Sequence, residues 1–158
     1  GTTSRGLGDV YKRQAQIHMV FIVVPRFNIT TLITMIETIR IANYLAPASA
    51  YSWEVASFDG SKITASNGMT ATIKTATDNL RSAEFVFILG SWGTEHYRNP
   101  KLTAWLRKRA RAGERICGVE LGSYIVARAG LLDGKSATIH WSWLNGFKEN
   151  FDLSLIHI

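Results

Sequence analysis

The sequence predicts an α/β fold of three layers, a mainly parallel central sheet with helices on both faces. Three observations carry this. Residues 17–24 (IHMVFIVV) and 83–89 (AEFVFIL) are short, nearly unbroken apolar runs, the pattern of strands covered on both sides. Segments 29–44 and 100–112, lying between such runs, place their apolar residues at helical spacing. Strands that alternate with helices are joined by right-handed crossovers into parallel sheets, and no internal repeat suggests another architecture.

Taken in order, residues 1–14 (GTTSRGLGDVYKRQ) follow neither period and are expected to be a loose, disordered head. The strand at 17–24 is stopped by Pro25. The helix at 29–44 carries Leu32, Ile33, Ile36, Ile39 and Ile41 at helical spacing, with Thr30 or Thr31 expected to cap it and Pro47 to end it. A second strand is expected at 51–57. Asp59-Gly60 then turns the chain into a hairpin, 63–65 and 69–73, around Asn67-Gly68. The strand at 83–89 runs into Gly90-Ser91-Trp92-Gly93, a loop at a strand's carboxyl end, where open α/β sheets hold ligands. Pro100 opens a helix over 100–112, with Leu102, Trp105, Leu106 and Ala110 inward, arginines outward and Gly113 at its end. Residues 116–119 form the next strand, Tyr124, Ile125, Ala127 and Ala129 belong to the helix after it, 137–139 reads as a short strand and 141–150 as a last helix.

The corner between 116–119 and the following helix holds Glu120 with Gly118 and Gly122 two positions away on either side. A sharp strand-to-helix turn strains its central residue and leaves no room for side chains on its flanks, so the central side chain projects above the sheet. The N–H groups and dipole of the helix that follows favour an anion there. Enzymes place Ser or Cys at such a corner. A carboxylate is a far weaker nucleophile toward carbonyls.

At 158 residues and 46% hydrophobic the chain suits one domain with a real core, and no apolar run reaches the roughly 18–20 residues of a membrane span. The run at 17–24 ends in proline and does not read as a signal peptide, so a soluble, cytoplasmic protein is expected. The one cysteine, Cys117, cannot close an internal disulfide and is expected to be a buried packing residue. Arg5, Lys12 and Arg13 against Asp9 account for two of the six net positive charges, leaving +4 for the rest. The cluster Arg107, Lys108, Arg109, Arg111 and Arg115 reads as a solvated face, since no DNA-reading motif accompanies it. His18, His96, His140 and His157 lack ligand spacing, so neither metal nor cofactor is expected. Trp105 and Trp143 read as packing residues.

The elbow, together with ARAGLLDG at 127–134 and ATIHW at 137–141, resembles the ThiJ/PfpI (class I glutamine amidotransferase-like) domain found in the N-terminal part of GlxA-like AraC-family transcription regulators. The likeness runs from 17 to 152. It implies a flavodoxin-like, amidotransferase-like domain over 15–152, incomplete at its C-terminal end. The head 1–14 and tail 153–158 then read as non-native, and DVYKRQ and LSLIHI resemble translated sequencing adapters. In the enzymes of this family the elbow residue is a nucleophilic cysteine, helped by a histidine and by an acid from the first helix. Those positions fall on Glu120, His140 and approximately Thr31, and two of the three do not suit catalysis.

The resemblance therefore implies a non-catalytic effector-sensing and dimerisation domain with no catalytic residues, acting as a homodimer. DNA would be bound only through a C-terminal helix-turn-helix region outside this chain. The expected ligand contacts are Glu120, Leu121, Gly90, Trp92, Tyr124, His140 and Trp141. A carboxylate among aromatics suits an amine, guanidinium or quaternary ammonium group, so the expected effector is a small cationic amine. Glu37, Arg40 and Asn43 match the E-x-x-R-x-A-N segment of the regulator branch, with structural or dimer-contact roles implied. The alternative is a stand-alone ThiJ/PfpI-type enzyme, a hydrolase, glyoxalase-like lyase or hydratase. A third reading is an interaction domain with an unused cleft.

Overall fold

The computed structural model describes residues 16–151 and the backbone of 155–156. Its elements in chain order are β1 (Ile17–Val23), α1 (Ile29–Leu45), β2 (Tyr51–Ala56), β3 (Lys62–Thr64), β4 (Thr70–Thr72), β5 (Phe85–Gly90), α2 (Pro100–Arg111), β6 (Arg115–Glu120), α3 (Gly122–Arg128), β7 (Ser136–Ala137), α4 (Leu144–Asn150) and β8 (Leu155–Ile156). Strands β2, β1, β5 and β6 lie side by side in that order, all parallel. The hairpin β3–β4 is a separate antiparallel pair, and β7 pairs with β8 in parallel. The expectation for the head, 1–14, lies outside the described residues.

Alternation along β1 makes three layers from this sheet. Val20, Ile22 and Val24 point to one side and pack with Val86, Ile88, Leu102, Leu106, Ile125 and Val126, the layer of α2 and α3. Phe21 and Val23 point to the other side, with Leu32, Ile63 and Leu89, and gather Met35, Ile36 and Ile39 of α1. Successive strand residues face opposite ways, so a nearly continuous apolar run supplies both layers at once.

Several details depart from the sequence reading. Asn28, not Thr30 or Thr31, caps α1: its Oδ1 accepts from the amides of Thr30 (3.0 Å) and Thr31 (3.3 Å). The helix begins at Ile29, two or three residues earlier than a cap at Thr30 or Thr31 would place it, and Asn is a strong acceptor at that place. Ile33 and Ile41 do not face the core; Leu32, Met35, Ile36 and Ile39 do, because the helix is apolar on more than one side and spacing alone does not fix its phase. Residues 141–150 are not one helix but a 3-10 turn, Trp141–Trp143, leading into α4. Arg109 is not solvated with the rest of its cluster. Its side chain is 11% exposed, forms a 2.6 Å ion pair with the buried Glu114, lies over the Trp105 ring and donates to the carbonyls of Leu80 and Arg81.

The amino end of the sheet is held by polar contacts. His18 is buried, with Nδ1 2.9 Å from Ser52 Oγ and Nε2 3.0 Å from Glu54 Oε2, while its amide donates to Glu84. Asn43 of α1 donates to the Tyr51 carbonyl (2.8 Å) and accepts from its amide (2.9 Å), fastening the helix end to the start of β2. No helix among the described residues is long and apolar enough to cross a membrane.

Candidate functional site

The carboxyl ends of β5 and β6 meet side by side, with Gly90 in register with Glu120. Glu120 ends β6, one residue before α3 begins after Leu121, with φ of 51°, a left-handed backbone that few residues other than glycine adopt. The two flanking glycines are required by space. A Cβ at Gly122 would stand 1.9 Å from the carbonyl oxygen of Ile88, and one at Gly118 would stand 2.6 Å from Cα of Ser123. The helix thus starts pressed against β5, and the side chain of residue 120 is turned out above the sheet.

Two groups from the start of α1 hold the Glu120 carboxylate. Thr31 Oγ1 donates to Oε1 at 2.5 Å and Asn28 Nδ2 donates to the same oxygen at 3.1 Å. Among the described residues, Oε2 accepts no hydrogen bond. Asn28 thereby serves twice, its oxygen capping α1 and its amide nitrogen binding the elbow. The anion is met by side chains of α1, a feature that glycine spacing around the elbow does not reveal.

Glu120 lines a cavity of about 400 Å³ together with Leu121, Ser91, Trp92, His140, Ser142 and Trp143. Its lining is largely apolar, with one carboxylate and a few hydroxyl and imidazole groups. His140 Nδ1 accepts from the Ser142 amide at 3.3 Å and lies 2.7 Å from Ser142 Oγ. An acceptor Nδ1 puts the proton of the neutral ring on Nε2, making that nitrogen a donor. No hydrogen bond joins His140 to Glu120 among the described residues. The loop of Trp92 is fixed from the turn after β1: Arg26, itself at φ 65°, donates from Nε to the Trp92 carbonyl at 3.0 Å.

Of the residues expected at the site, Glu120, Leu121, Trp92 and His140 line this cavity, and Gly90 does not, standing in register with Glu120. Tyr124 and Trp141 stand apart from it. The Tyr124 ring is buried edge-on against Phe147 (4.9 Å) and Phe151 (5.7 Å), and its phenol pKa is pushed up, first by burial and then by Glu95. Tyr124 lines a second cavity, about 240 Å³, with Glu95, His96, Arg98 and Trp143. Trp141 is 73% exposed, because the 3-10 turn swings it outward while Trp143, read as a packing residue, becomes the wall shared by both cavities. Asn28 and Ser142 were not expected at the site, Ser91 was expected only as part of the 90–93 loop, and Trp143 was expected to pack. Only Asn28 had a usable signal, an Asn directly before a helix-spaced segment.

Cys117 is half-buried in β6, and burial raises its thiol pKa more than neighbouring Arg115 lowers it, the environment of an inert cysteine. Among the described residues, no three His, Cys, Asp or Glu side chains gather as a metal site.

The DJ-1/PfpI family model matches residues 26–151, from the start of the Arg26 turn to the end of α4. The chain belongs to the DJ-1/PfpI family. Among its relatives are the HTH-type transcriptional regulators CdhR of Pseudomonas aeruginosa, 35% identical over 83% of this chain and 39% of that protein, and GlxA of Rhizobium meliloti, 30% identical over 83% and 41%. GbdR of Pseudomonas aeruginosa is 34% identical over 83% of this chain and 36% of its own length. The chain spans about two fifths of the length of these relatives. An AraC family transcriptional regulator from Pseudomonas putida superposes with a TM-score of 0.79 at 21% identity, covering 89% of this chain and 76% of that one. A THiJ/PfpI family protein from Pseudomonas syringae superposes at 0.66 with 20% identity over 90% and 58%. At these identities the superpositions establish the DJ-1/PfpI fold.

Proposed function

We propose that this DJ-1/PfpI domain is the non-catalytic effector-sensing and dimerisation part of a GlxA-like, AraC-family transcription regulator, working in the cytoplasm as a homodimer. DNA contact is made by a helix-turn-helix region outside this chain, in keeping with the longer HTH-type regulators that it resembles. The effector is a small cationic amine bound in the cavity over the elbow.

One observation carries the effector reading. The Glu120 carboxylate has one oxygen held by Thr31 and Asn28 and the other without a hydrogen bond among the described residues, in a cavity walled by Trp92 and Trp143. A fixed anion between indole rings attracts an ammonium or guanidinium by charge and by cation-π contact, while the neighbouring apolar wall takes its alkyl groups. The same arrangement argues against nucleophilic catalysis, since the elbow atom is a carboxylate oxygen already hydrogen-bonded by a hydroxyl and an amide. Calorimetric titration with arginine, choline, betaine and carnitine is expected to find at least one binder, with affinity falling at least tenfold in Glu120→Gln. Equal affinity in the variant would remove the basis for the reading.

A further inference from the structure

The outward face of α2 carries four cations and no anion. Lys101, Ala104, Lys108 and Arg111 recur at intervals of three and four residues, away from the buried Leu102 and Leu106, and Arg107 lies on the same side. Across residues 16–151 cations outnumber acids by fifteen to ten, so four of that surplus of five stand on this one face. Arg109, the remaining cation of α2, turns to the buried Glu114 instead, and none of the four forms an ion pair among the described residues.

Helix stability does not account for the set. Cations in a last turn complement the helix dipole, which covers Lys108 and Arg111. Lys101 stands in the first turn, where the dipole opposes a cation, and no acid is placed there to balance it. A face kept for solubility alone mixes both signs. A row of cations along a helix is instead the footprint of a partner with regularly spaced negative charge.

The rest of the face narrows the partner. A helix that binds a membrane surface sets a large apolar stripe beside its cations, and none of the large apolar side chains exposed among the described residues belongs to α2. A phosphate backbone asks only for cations within reach. The row from 101 to 111 runs about 15 Å at roughly 1.5 Å per residue, enough to follow about four phosphates of one strand. We propose that the outward face of α2 binds the phosphate backbone of duplex DNA, adding a sequence-indifferent contact to the base reading done by the helix-turn-helix region outside this chain. The choice of partner rests on the regulator reading above but not on the effector. Titration at Glu120 contains no DNA, so either result can fail without the other.

Fluorescence anisotropy of labelled duplexes tests this on the chain itself across a salt series, with thermal melts to establish that each variant folds. Affinity is expected to be the same for unrelated sequences and to fall with salt at a log–log slope of about −3.6, the value for four phosphate contacts. Lys101→Gln and Lys108→Gln each reduce the slope by about one, and Ala104→Lys, which adds a cation in the middle of the row, steepens it by about one and tightens binding. Lys62→Gln, Lys74→Gln and Lys148→Gln remove the same charge elsewhere and leave the slope unchanged. The proposal is overturned if both sets of variants change the slope equally, if no salt-dependent binding is found, or if Ala104→Lys binds no tighter. Capture on phosphatidylserine vesicles without retention of duplex DNA would make the partner a membrane and overturn it as well.

Discussion

Glu120 combines an unfavourable backbone with a useful position. Holding a residue other than glycine at φ 51° costs about 1–3 kcal/mol, and the surrounding contacts must offset it. The closest approach is at Gly122, where an added Cβ would lie 1.9 Å from a main-chain oxygen of β5, which cannot step aside as a side chain would. Gly122→Ala is therefore expected to destabilise the fold by at least the roughly 1–3 kcal/mol of an overpacked core, read by urea denaturation. Cys117 gives a second test at this scale. Because burial raises its thiol pKa, less thiolate is present at neutral pH than for a free cysteine, and alkylation by iodoacetamide is expected to be slower folded than unfolded and to accelerate with rising pH. A fast, pH-insensitive reaction in the folded chain would contradict that environment.

At the scale of elements, α1 is joined to the site at its first turn and to the sheet at its last. Asn28 caps the helix and binds Glu120, and Asn43 ties its end to Tyr51. Asn28→Ala removes the cap, worth about 1 kcal/mol, and one of the two bonds to the elbow. Hydrogen exchange at the amides of Thr30 and Thr31 is expected to quicken, with ligand affinity at Glu120 altered in the same variant. Thr31→Val separates the two roles: it deletes a bond to Glu120 while leaving the Asn28 cap in place, so affinity moves and helix exchange moves little. If both variants changed exchange alone, the first turn of α1 would have no part in the site.

For the whole molecule, the layered arrangement gives each helix surface a separate task. The inner face of α1 builds the core, its first turn orients the site carboxylate, and its outer face leaves Ile33, Ile41, Tyr44 and Leu45 exposed. The basic face of α2 lacks any reading motif, so retention of duplex DNA by this chain is expected to be weak, indifferent to sequence and abolished by moderate salt. Gel shifts on unrelated duplexes across a salt series measure this, and tight salt-resistant binding to one sequence would place DNA recognition within the domain itself. No turnover of small aldehydes or amides is expected, and turnover lost on mutating Glu120 would return the elbow to catalysis.

The order of strands and helices, the parallel sheet, the elbow and the two glycines that frame Glu120 were all legible in the residues. Each rests on a local cause: a run's apolarity, a helical period, or the steric demand of a sharp turn. Of the partners of Glu120, Thr31 was marked only through the resemblance, as the approximate place of the first-helix acid, and Asn28 was not marked at all, because they lie 89 and 92 positions away and are delivered by the register of β1, β5 and β6. The same holds for which indoles face the cavity. Trp143 rather than Trp141 became its wall once a 3-10 turn set their directions. The phase of α1 was settled likewise, since a helix apolar on several sides specifies its buried stripe only when a sheet is laid against it. Sequence alone determined the fold and the charge at its corner, while long-range packing decided what that charge touches and which surface stays open.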